Sequence, residues 1–148
     1  MNPPRNPAKA FLKRYRALIV RYDSMTREIR RLRESLTGTT VQLKADVVTG
    51  SGAADRMAAT MARIIDLETA QADEIAEIRD AMREVLDAIH AVQDEMQKAV
   101  LTLRYVEGLD WISLAERINY SEARAYVIHG RALEEINEWL KRREERIV

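Results

Sequence analysis

The sequence predicts an all-α protein with a long N-terminal helical hairpin or coiled coil, followed by a compact unit built around a helix-turn-helix. Three observations predict this fold. Apolar residues recur at alternating gaps of four and three over residues 8–36, and a similar alternation returns over residues 53–98. Residues 100–136 then hold three short amphipathic stretches separated by turn residues. We therefore expect a flexible tail at 1–7, an assembly region at 8–99 and the compact unit at 100–148.

The composition narrows the class of protein. A chain of 148 residues fits one or two small domains. Its 32% charged and 5% aromatic residues suit long, exposed helices. The absence of cysteine excludes disulfides, thiolate zinc sites and a cysteine nucleophile, and it agrees with a cytoplasmic location. Because no apolar run is long enough to span a bilayer and no signal peptide is evident, we expect no membrane partner.

Charge is unevenly distributed along the chain, although the net charge is zero. Residues 1–36 contain ten Lys or Arg against three Asp or Glu, and residues 37–99 contain six against twelve. We expect these two segments to attract each other. Residues 100–148 contain eight against nine, so this segment lacks the basic surface that is typical of a strong DNA-binding domain.

The first predicted helix runs from about residue 8 to about residue 36, after a tail that contains all three prolines. A 3.5-residue period maintained over four heptads predicts a left-handed supercoil with a partner helix. The apolar seam of this helix consists of Phe11, Tyr15, Leu18, Tyr22, Met25, Ile29, Leu32 and Leu36.

Residues 37–52 interrupt the period and are predicted to connect the two long helices. Gly38, Gly50 and Gly52 lie among Thr and Ser residues, a composition typical of turns. The apolar residues of this segment would dock it on a neighbour or form a short hairpin. The pattern assigns no function to the connection.

The second predicted helix runs from about residue 53 to about residue 98. At 1.5 Å per residue it would be roughly 65–70 Å long, against roughly 40–45 Å for the first. An antiparallel pair would leave its C-terminal third uncovered, so that third must pack on the helix-turn-helix, on a second copy, or on both. Because burying one apolar side chain is worth about 1.5–3 kcal/mol, we expect a homodimer. The predicted seam, which drifts near Leu67 and Ala72, contains Met57, Met61, Ile64, Ile75, Ile78, Met82, Val85, Ile89, Val92 and Met96.

The C-terminal unit is predicted to turn at Asn119-Tyr120-Ser121. Apolar residues recur at helical spacing on both sides of this turn, and Ser121 can cap the helix that follows. Upstream, Gly108 is predicted to end a further helix and Asp110 to cap the next one. Two helices joined by a turn of three or four residues form a helix-turn-helix. The apolar faces consist of Trp111, Leu114, Ala115 and Ile118 before the turn and of Ala125, Ile128, Ala132 and Ile136 after it.

This stretch resembles region 4, the promoter-reading domain of bacterial sigma factors. The likeness lies in Leu103-Arg104-Tyr105, Glu107-Gly108-Leu109, Leu114-Ala115-Glu116 and Arg131-Ala132-Leu133. Further matches resemble small phage and prophage proteins of the ArpU/RinA-like class of late transcription regulators, and they cover about a hundred residues, most strongly the last fifty. These matches are Tyr120-Ser121, His129-Gly130-Arg131-Ala132-Leu133, Ser51-Gly52 and Ile65-Asp66-Leu67-Glu68.

The resemblance implies a regulator of phage or prophage transcription in the cytoplasm of a bacterial host, with double-stranded DNA and RNA polymerase as partners. The second helix of such a unit enters the major groove by its N-terminal residues. Glu122, Ala123 and Val127 depart from the basic and amide residues common there in sigma factors. Glu122 suits a cytosine amino group, and Ala123 or Val127 a thymine methyl; the alternative is a surface that has lost DNA binding. The implied DNA-binding residues are Ser121, Glu122, Ala123, Arg124, Tyr126, Val127, Arg131 and Arg117, with Ser113 as a further backbone contact.

The remaining polar residues favour structural roles. His90 and His129 have no second ligand at metal spacing, and we expect His129 to pack or to form a hydrogen bond. Carboxylates spread along helix faces, and neither a phosphate-binding loop nor a Ser-His-Asp pattern is present, so we expect no catalytic residue, cofactor, metal or small-molecule ligand. A basic run in the first helix could bind phosphates, but pairing with the acidic second segment is favoured. The run consists of Lys9, Lys13, Arg14, Arg16, Arg21, Arg27, Arg30, Arg31 and Arg33.

Two interpretations follow. In the first, a homodimeric transcription regulator reads half-sites about one helical turn apart, or a multiple of it. In the second, an oligomeric structural or interaction protein uses the motif as a protein-binding head, or serves DNA packaging as small terminase subunits do, without reading sequence. The neutral C-terminal segment favours the second interpretation, and the HGRAL motif favours the first.

Overall fold

The structure, a computed structural model, describes residues 6–45 and 52–147, and the side chains of these except 39–45. The described residues form helices and no strands, which confirms the all-α prediction. A π-helical segment, Thr102–Val106, follows the third α-helix directly. The α-helices are α1 (Pro7–Ala45), α2 (Gly52–Ala91), α3 (Glu95–Leu101), α4 (Trp111–Ile118) and α5 (Glu122–Ile147).

The chain divides into two compact units. The hairpin unit is Ile19–Glu77, and the composite unit joins the residues up to Leu18 with those from Ile78 onwards. This division differs from the predicted one at residue 99, because the start of α1 and the end of α2 belong with the C-terminal helices. The composite unit contains sixteen Lys or Arg against fourteen Asp or Glu, so it is slightly basic although residues 100–148 alone are not.

Helix α1 buries the predicted seam and extends beyond its predicted C-terminal end. All eight predicted seam residues are buried or half-buried, which confirms the heptad pattern. The prediction that the helix breaks at residue 37 is wrong, because α1 continues to Ala45. Gly38 is exposed and touches nothing beyond the helix, and one such glycine costs a helix only about 1 kcal/mol. Because Val41 and Leu43 lie in this helix, the predicted hairpin is wrong for this part of the connection. The predicted docking of the apolar side chains lies outside the residues whose side chains are described, and most of the predicted tail lies outside the described residues.

In the hairpin unit, α1 and α2 are held together by a small apolar cluster and by ion pairs. Ile29, Ile64 and Leu67 are its buried residues, and Met25, Leu32 and Leu36 pack against them. Arg63 pairs with Glu28 at 3.3 Å, and Arg33 pairs with Glu68.

The predicted seam of α2 is wrong at Met61 and Ile75, whereas Leu67, near which it was predicted to drift, is buried. Met61 and Ile75 are 48% and 43% exposed, whereas Glu74 is only 5% exposed. The buried face instead runs through Leu67, Gln71 and Glu74 at gaps of four and three. The reason is that polar side chains take two seam positions here, and hydrophobic periodicity does not reveal them.

Each polar side chain of this seam has a partner on α1. The Gln71 side-chain amide donates to the backbone carbonyl of Tyr22 at 3.2 Å and to the hydroxyl of Thr26 at 2.6 Å. The Glu74 carboxylate pairs with the guanidinium of Arg21. Buried polar groups are tolerated when they are paired in this way.

Helix α2 ends at Ala91, so the prediction that it reaches residue 98 is also wrong. The chain turns at Val92, whose N–H donates to the carbonyl of Ile89 at 3.1 Å. The Asp94 side chain then accepts from the N–H of Gln97 at 2.9 Å and caps α3. The apolar pattern continues across this break, which is why periodicity alone predicts one helix.

The apolar residues at the end of α2 and in the turn and helix that follow are buried or half-buried within a single chain. Val85, Ile89 and Val92 are each 2% exposed, while Met82 and Met96 are half-buried. A second copy is therefore not needed to cover this stretch. The homodimer stays a prediction.

Candidate nucleic-acid interface

The turn between α4 and α5 has the predicted length and caps. Asn119 ends α4 in the left-handed conformation, with φ of 58°, and the N–H of Tyr120 donates to the carbonyl of Ala115 at 3.1 Å. The Ser121 hydroxyl accepts from the N–H of Arg124 at 3.1 Å, which confirms the predicted cap of α5. Two helices are thus joined by three residues, and α5 begins at Glu122.

A shared apolar core fixes α4 against α5. Leu114 and Ala115 of α4 meet Ala125 and Ile128 of α5 in one cluster, on which Val100 and Leu103 also pack. Leu114 and Ala125 are fully buried. The small side chains of the two alanines allow close approach of the two helix backbones.

The segment before α4 is held by its own set of backbone bonds. The N–H of Leu109 donates to the carbonyl of Leu103 at 2.9 Å, across Gly108, whose φ is 76°. Gly108 therefore ends the preceding helical segment, as predicted. Arg104 donates to the Leu109 carbonyl at 2.8 Å, and Asp110 caps α4 by accepting from the N–H of Ser113 at 2.8 Å. That hydrogen bond holds the pKa of Asp110 below its ordinary value.

An aromatic group joins α4, α5 and the π-helical segment. The Trp111 ring lies 4.3 Å from the Tyr126 ring and 4.8 Å from the His129 ring, centroid to centroid, and Arg104 lies 4.9 Å from the Trp111 ring. The Tyr105 hydroxyl is 2.6 Å from Nε2 of His129. Trp111 thus anchors the start of α4 against α5, and one face of Tyr126 is fixed while half of its surface stays exposed.

Burial keeps the Tyr105–His129 pair neutral. Burial lowers the pKa of His129 to about 4, with the charges of Lys9, Arg104 and Lys13 acting in the same direction. Burial also raises the pKa of Tyr105 to about 12. At neutral pH a protonated phenol and an uncharged imidazole therefore share this hydrogen bond. The hydrogen bond to Tyr105 confirms the expected hydrogen-bonding role of His129.

The predicted DNA-binding residues all lie on the exterior, around the first turns of α5 and the end of α4. Among them are two large apolar side chains, Tyr126 and Val127, which are 51% and 46% exposed. Arg117 is partly engaged, since it pairs with Glu107 at 3.8 Å. The exposed residues are Ser121, Glu122, Ala123, Arg124, Tyr126, Val127, Arg131 and Arg117, and Ser113 is half-buried.

At about 100° per residue, the exterior of α5 between Glu122 and Arg131 has an apolar centre and two different flanks. Ala123, Val127 and Gly130 fall opposite the buried face. Arg124 and Arg131 fall together on one flank, where they line a shallow pocket with Asp94, Met96, Gln97 and Tyr120. Tyr126 falls on the other flank. The centre therefore offers apolar contacts and only one flank offers positive charge from α5 itself.

The start of α1 lies beside α5, which sequence reasoning did not predict. The N–H of Ala8 donates to the side-chain oxygen of Asn137 at 2.9 Å, and the Phe11 ring lies 5.9 Å from the Trp139 ring. Lys9 and Lys13 are exposed on this segment and act electrostatically on His129. Both belong to the predicted basic run, but no pattern in the sequence indicates that they reach the C-terminal helices.

Several other arginines of the basic run form ion pairs with glutamates of α2, as the charge distribution predicted. Arg14 pairs with Glu84 at 3.5 Å, and Arg21 and Arg33 pair with Glu74 and Glu68. Arg16 donates to the backbone carbonyl of Val106 at 3.3 Å. These arginines therefore stabilise the fold.

Within residues 6–38 and 52–147, no cluster of three metal-ligating side chains occurs. In the same part of the chain no helix combines the length and the apolar character needed to cross a bilayer. The chain matches no protein-family model, no curated protein and no solved structure.

Proposed function

We propose that this protein binds double-stranded DNA through α4 and α5 and regulates transcription in a phage or prophage. The main support for this proposal is the exterior of the first turns of α5. Tyr126 and Val127 are exposed there beside Arg124 and Arg131. These turns directly follow a capped three-residue turn. Exposed apolar residues next to cations suit a groove that displays thymine methyl groups between phosphate rows. The resemblance to sigma region 4 and to the ArpU/RinA-like regulators supplies the biological role.

The residue types on α5 favour a particular kind of sequence. Ala123 and Val127 would contact thymine methyl groups, and Glu122 would accept from a cytosine amino group. Arg124 and Arg131 would contact phosphates, or a guanine at the edge of the site. We therefore expect a site rich in thymine and cytosine on the strand that α5 reads.

The regulator would act next to a promoter and present a surface to RNA polymerase. A homodimer would place two such units on half-sites about 34–36 Å apart, or a multiple of that distance. Neither RNA polymerase nor a second copy of the chain is needed for the contact between α5 and DNA, so binding to DNA is the first step to test.

The test is selection of duplexes from a random-sequence library by the full-length chain, followed by titration of the selected duplex at several salt concentrations. We expect enrichment of one motif, and log K that falls linearly with log[salt]. Arg131→Gln should weaken binding and reduce the salt slope by about 1. Arg142→Gln, a matched exposed arginine near the end of α5, should leave both unchanged. No enrichment and no salt-dependent binding would contradict the proposal.

A second function rests on a different surface. Met61, Ile65 and Ile75 of α2 are 43–59% exposed in the hairpin unit. Such a row suits an oligomeric structural protein, of the small-terminase-like kind, that does not read sequence. Sedimentation of the full chain distinguishes the two: a monomer or dimer that binds DNA supports regulation, and a large stable ring without DNA binding supports assembly.

A further inference from the structure

A helix in the major groove meets phosphates on both sides. The groove is about 12 Å wide, and each wall is a row of phosphates from one strand. A reading helix therefore gains most when cations lie on both of its flanks. In α5, the residues from Glu122 to Leu133 include only two Lys or Arg, and both of these arginines fall on the same flank. The other flank carries Tyr126 and, at the helix start, the acidic Glu122.

The start of α1 contacts α5 at Asn137, which falls on that second flank three turns beyond Tyr126. Asn137 of α5 accepts from the N–H of Ala8 at 2.9 Å, and its side-chain amide donates to the side chain of Asn6 at 3.4 Å. One turn further on, Leu12 is fully buried in the composite unit. Arg16, two turns beyond Ala8, reaches the Val106 carbonyl at 3.3 Å. Three hydrogen bonds and the burial of Leu12 thus fix this stretch of α1 beside α5 and the segment that precedes α4.

Lys9 and Lys13 project from this fixed stretch into solvent. They are four residues apart, on the same side of α1 as Arg16, and both are exposed. Among the described residues neither lysine forms an ion pair, whereas Arg14, Arg21 and Arg33 do. Their charges act on His129 of α5, which agrees with a position next to that helix.

We propose that Lys9 and Lys13 bind the phosphates of the strand opposite to the one contacted by Arg124 and Arg131. The DNA-binding surface is then assembled from two distant parts of the chain, with α5 reading the bases and α1 supplying the second row of cations. This inference rests on the proposed function. It also explains how a C-terminal segment with no net positive charge of its own can bind DNA.

The experiment is a salt titration of the duplex selected by the wild-type chain, with the double variant Lys9→Gln, Lys13→Gln. We expect the slope of log K against log[salt] to fall by about 2 and binding to weaken by the same factor on every duplex, selected or not. The control is Arg27→Gln, Arg31→Gln, which has the same spacing and charge on exposed positions of the same helix but in the hairpin unit. The control should retain the wild-type slope.

The outcomes separate the two claims. If the wild-type chain binds no duplex, the proposed function fails. If the wild-type chain binds and the lysine variant keeps its slope, or if both double variants lose the same amount, the assignment to Lys9 and Lys13 fails while DNA binding stands. Circular dichroism and thermal melting of each variant establish that the fold is retained, which is expected because all four side chains are exposed.

Discussion

The two units of this chain are stabilised in different ways. In the hairpin unit, a short cluster around Ile29, Ile64 and Leu67 is accompanied by charge pairs between exposed side chains and by a seam that contains Gln71 and Glu74. In the composite unit, fully buried apolar residues, capped helix ends and an aromatic group act together. Exposed pairs contribute at most about 1 kcal/mol each. We infer that the hairpin unit opens more readily and that the composite unit, which carries the proposed DNA-binding surface, is the more rigid of the two.

The strongest effect should come from the core beneath the turn. Leu114→Ala should lower the free energy of unfolding of the composite unit by about 2–5 kcal/mol, because Leu114 is fully buried between α4 and α5. Urea denaturation measures this effect. Ile112→Ala is the matched control, since Ile112 belongs to the same helix but is 64% exposed, and it should change the stability by less than about 0.5 kcal/mol. Equal effects would contradict the burial of Leu114 between the two helices.

The second largest effect is the pH dependence of the free energy of unfolding. The pKa of His129 is lowered to about 4 in the fold, so the unfolded chain binds a proton at higher pH than the folded chain does. The stability from this group is complete above about pH 6.5 and is lost as the pH falls from there towards 4, by up to about 3 kcal/mol. Urea titrations at several pH values measure the loss.

Two histidine variants isolate this contribution from that of the carboxylates. His129→Gln should flatten the pH dependence of stability between pH 6.5 and 4. His90→Gln, at the other and exposed histidine, should keep the wild-type dependence. The assignment is wrong if both variants behave alike.

Two glycines of the composite unit should respond in opposite directions. Gly108→Ala should destabilise by about 1–2 kcal/mol, because φ is 76° and a Cβ would lie 2.5 Å from the Arg16 guanidinium. Gly130→Ala should stabilise by about 1 kcal/mol, because an added Cβ meets no atom within 4 Å. Thermal or urea unfolding measures both changes. The same sign for both would contradict a left-handed Gly108 and a helical, unobstructed Gly130.

The weakest effect concerns the polar seam of the hairpin unit. Glu74→Leu should stabilise this unit by about 1 kcal/mol, because it removes a buried carboxylate while the Arg21 side chain, which is 64% exposed, stays in contact with water. Hydrogen exchange of amides in residues 19–77 should slow about fivefold. Asp73→Leu, at an exposed neighbour, should leave exchange unchanged. Faster exchange in Glu74→Leu would show that the pair is a net stabilising contact.

Local chemistry made much of this architecture predictable, and tertiary contacts explain the rest. The heptad seam of α1 and the caps at Asp110 and Ser121 were predictable, because apolar spacing and short polar side chains act within one or two turns. Glu74 was not, because its seam position depends on a partner, Arg21, that is distant in the sequence. The approach of Lys9 and Lys13 to α5 depends on the packing of Ala8 and Leu12, which no local pattern contains.

Hydrogen exchange of the full-length chain with and without its selected duplex is the sharpest test of a DNA-binding surface assembled from α5 and the start of α1. We predict that DNA protects amides at Glu122–Arg131 and around Lys9–Lys13, while amides around Met61–Ile75 in the hairpin unit are unchanged. Protection confined to Met61–Ile75, with α5 unaffected by saturating duplex, would contradict this surface.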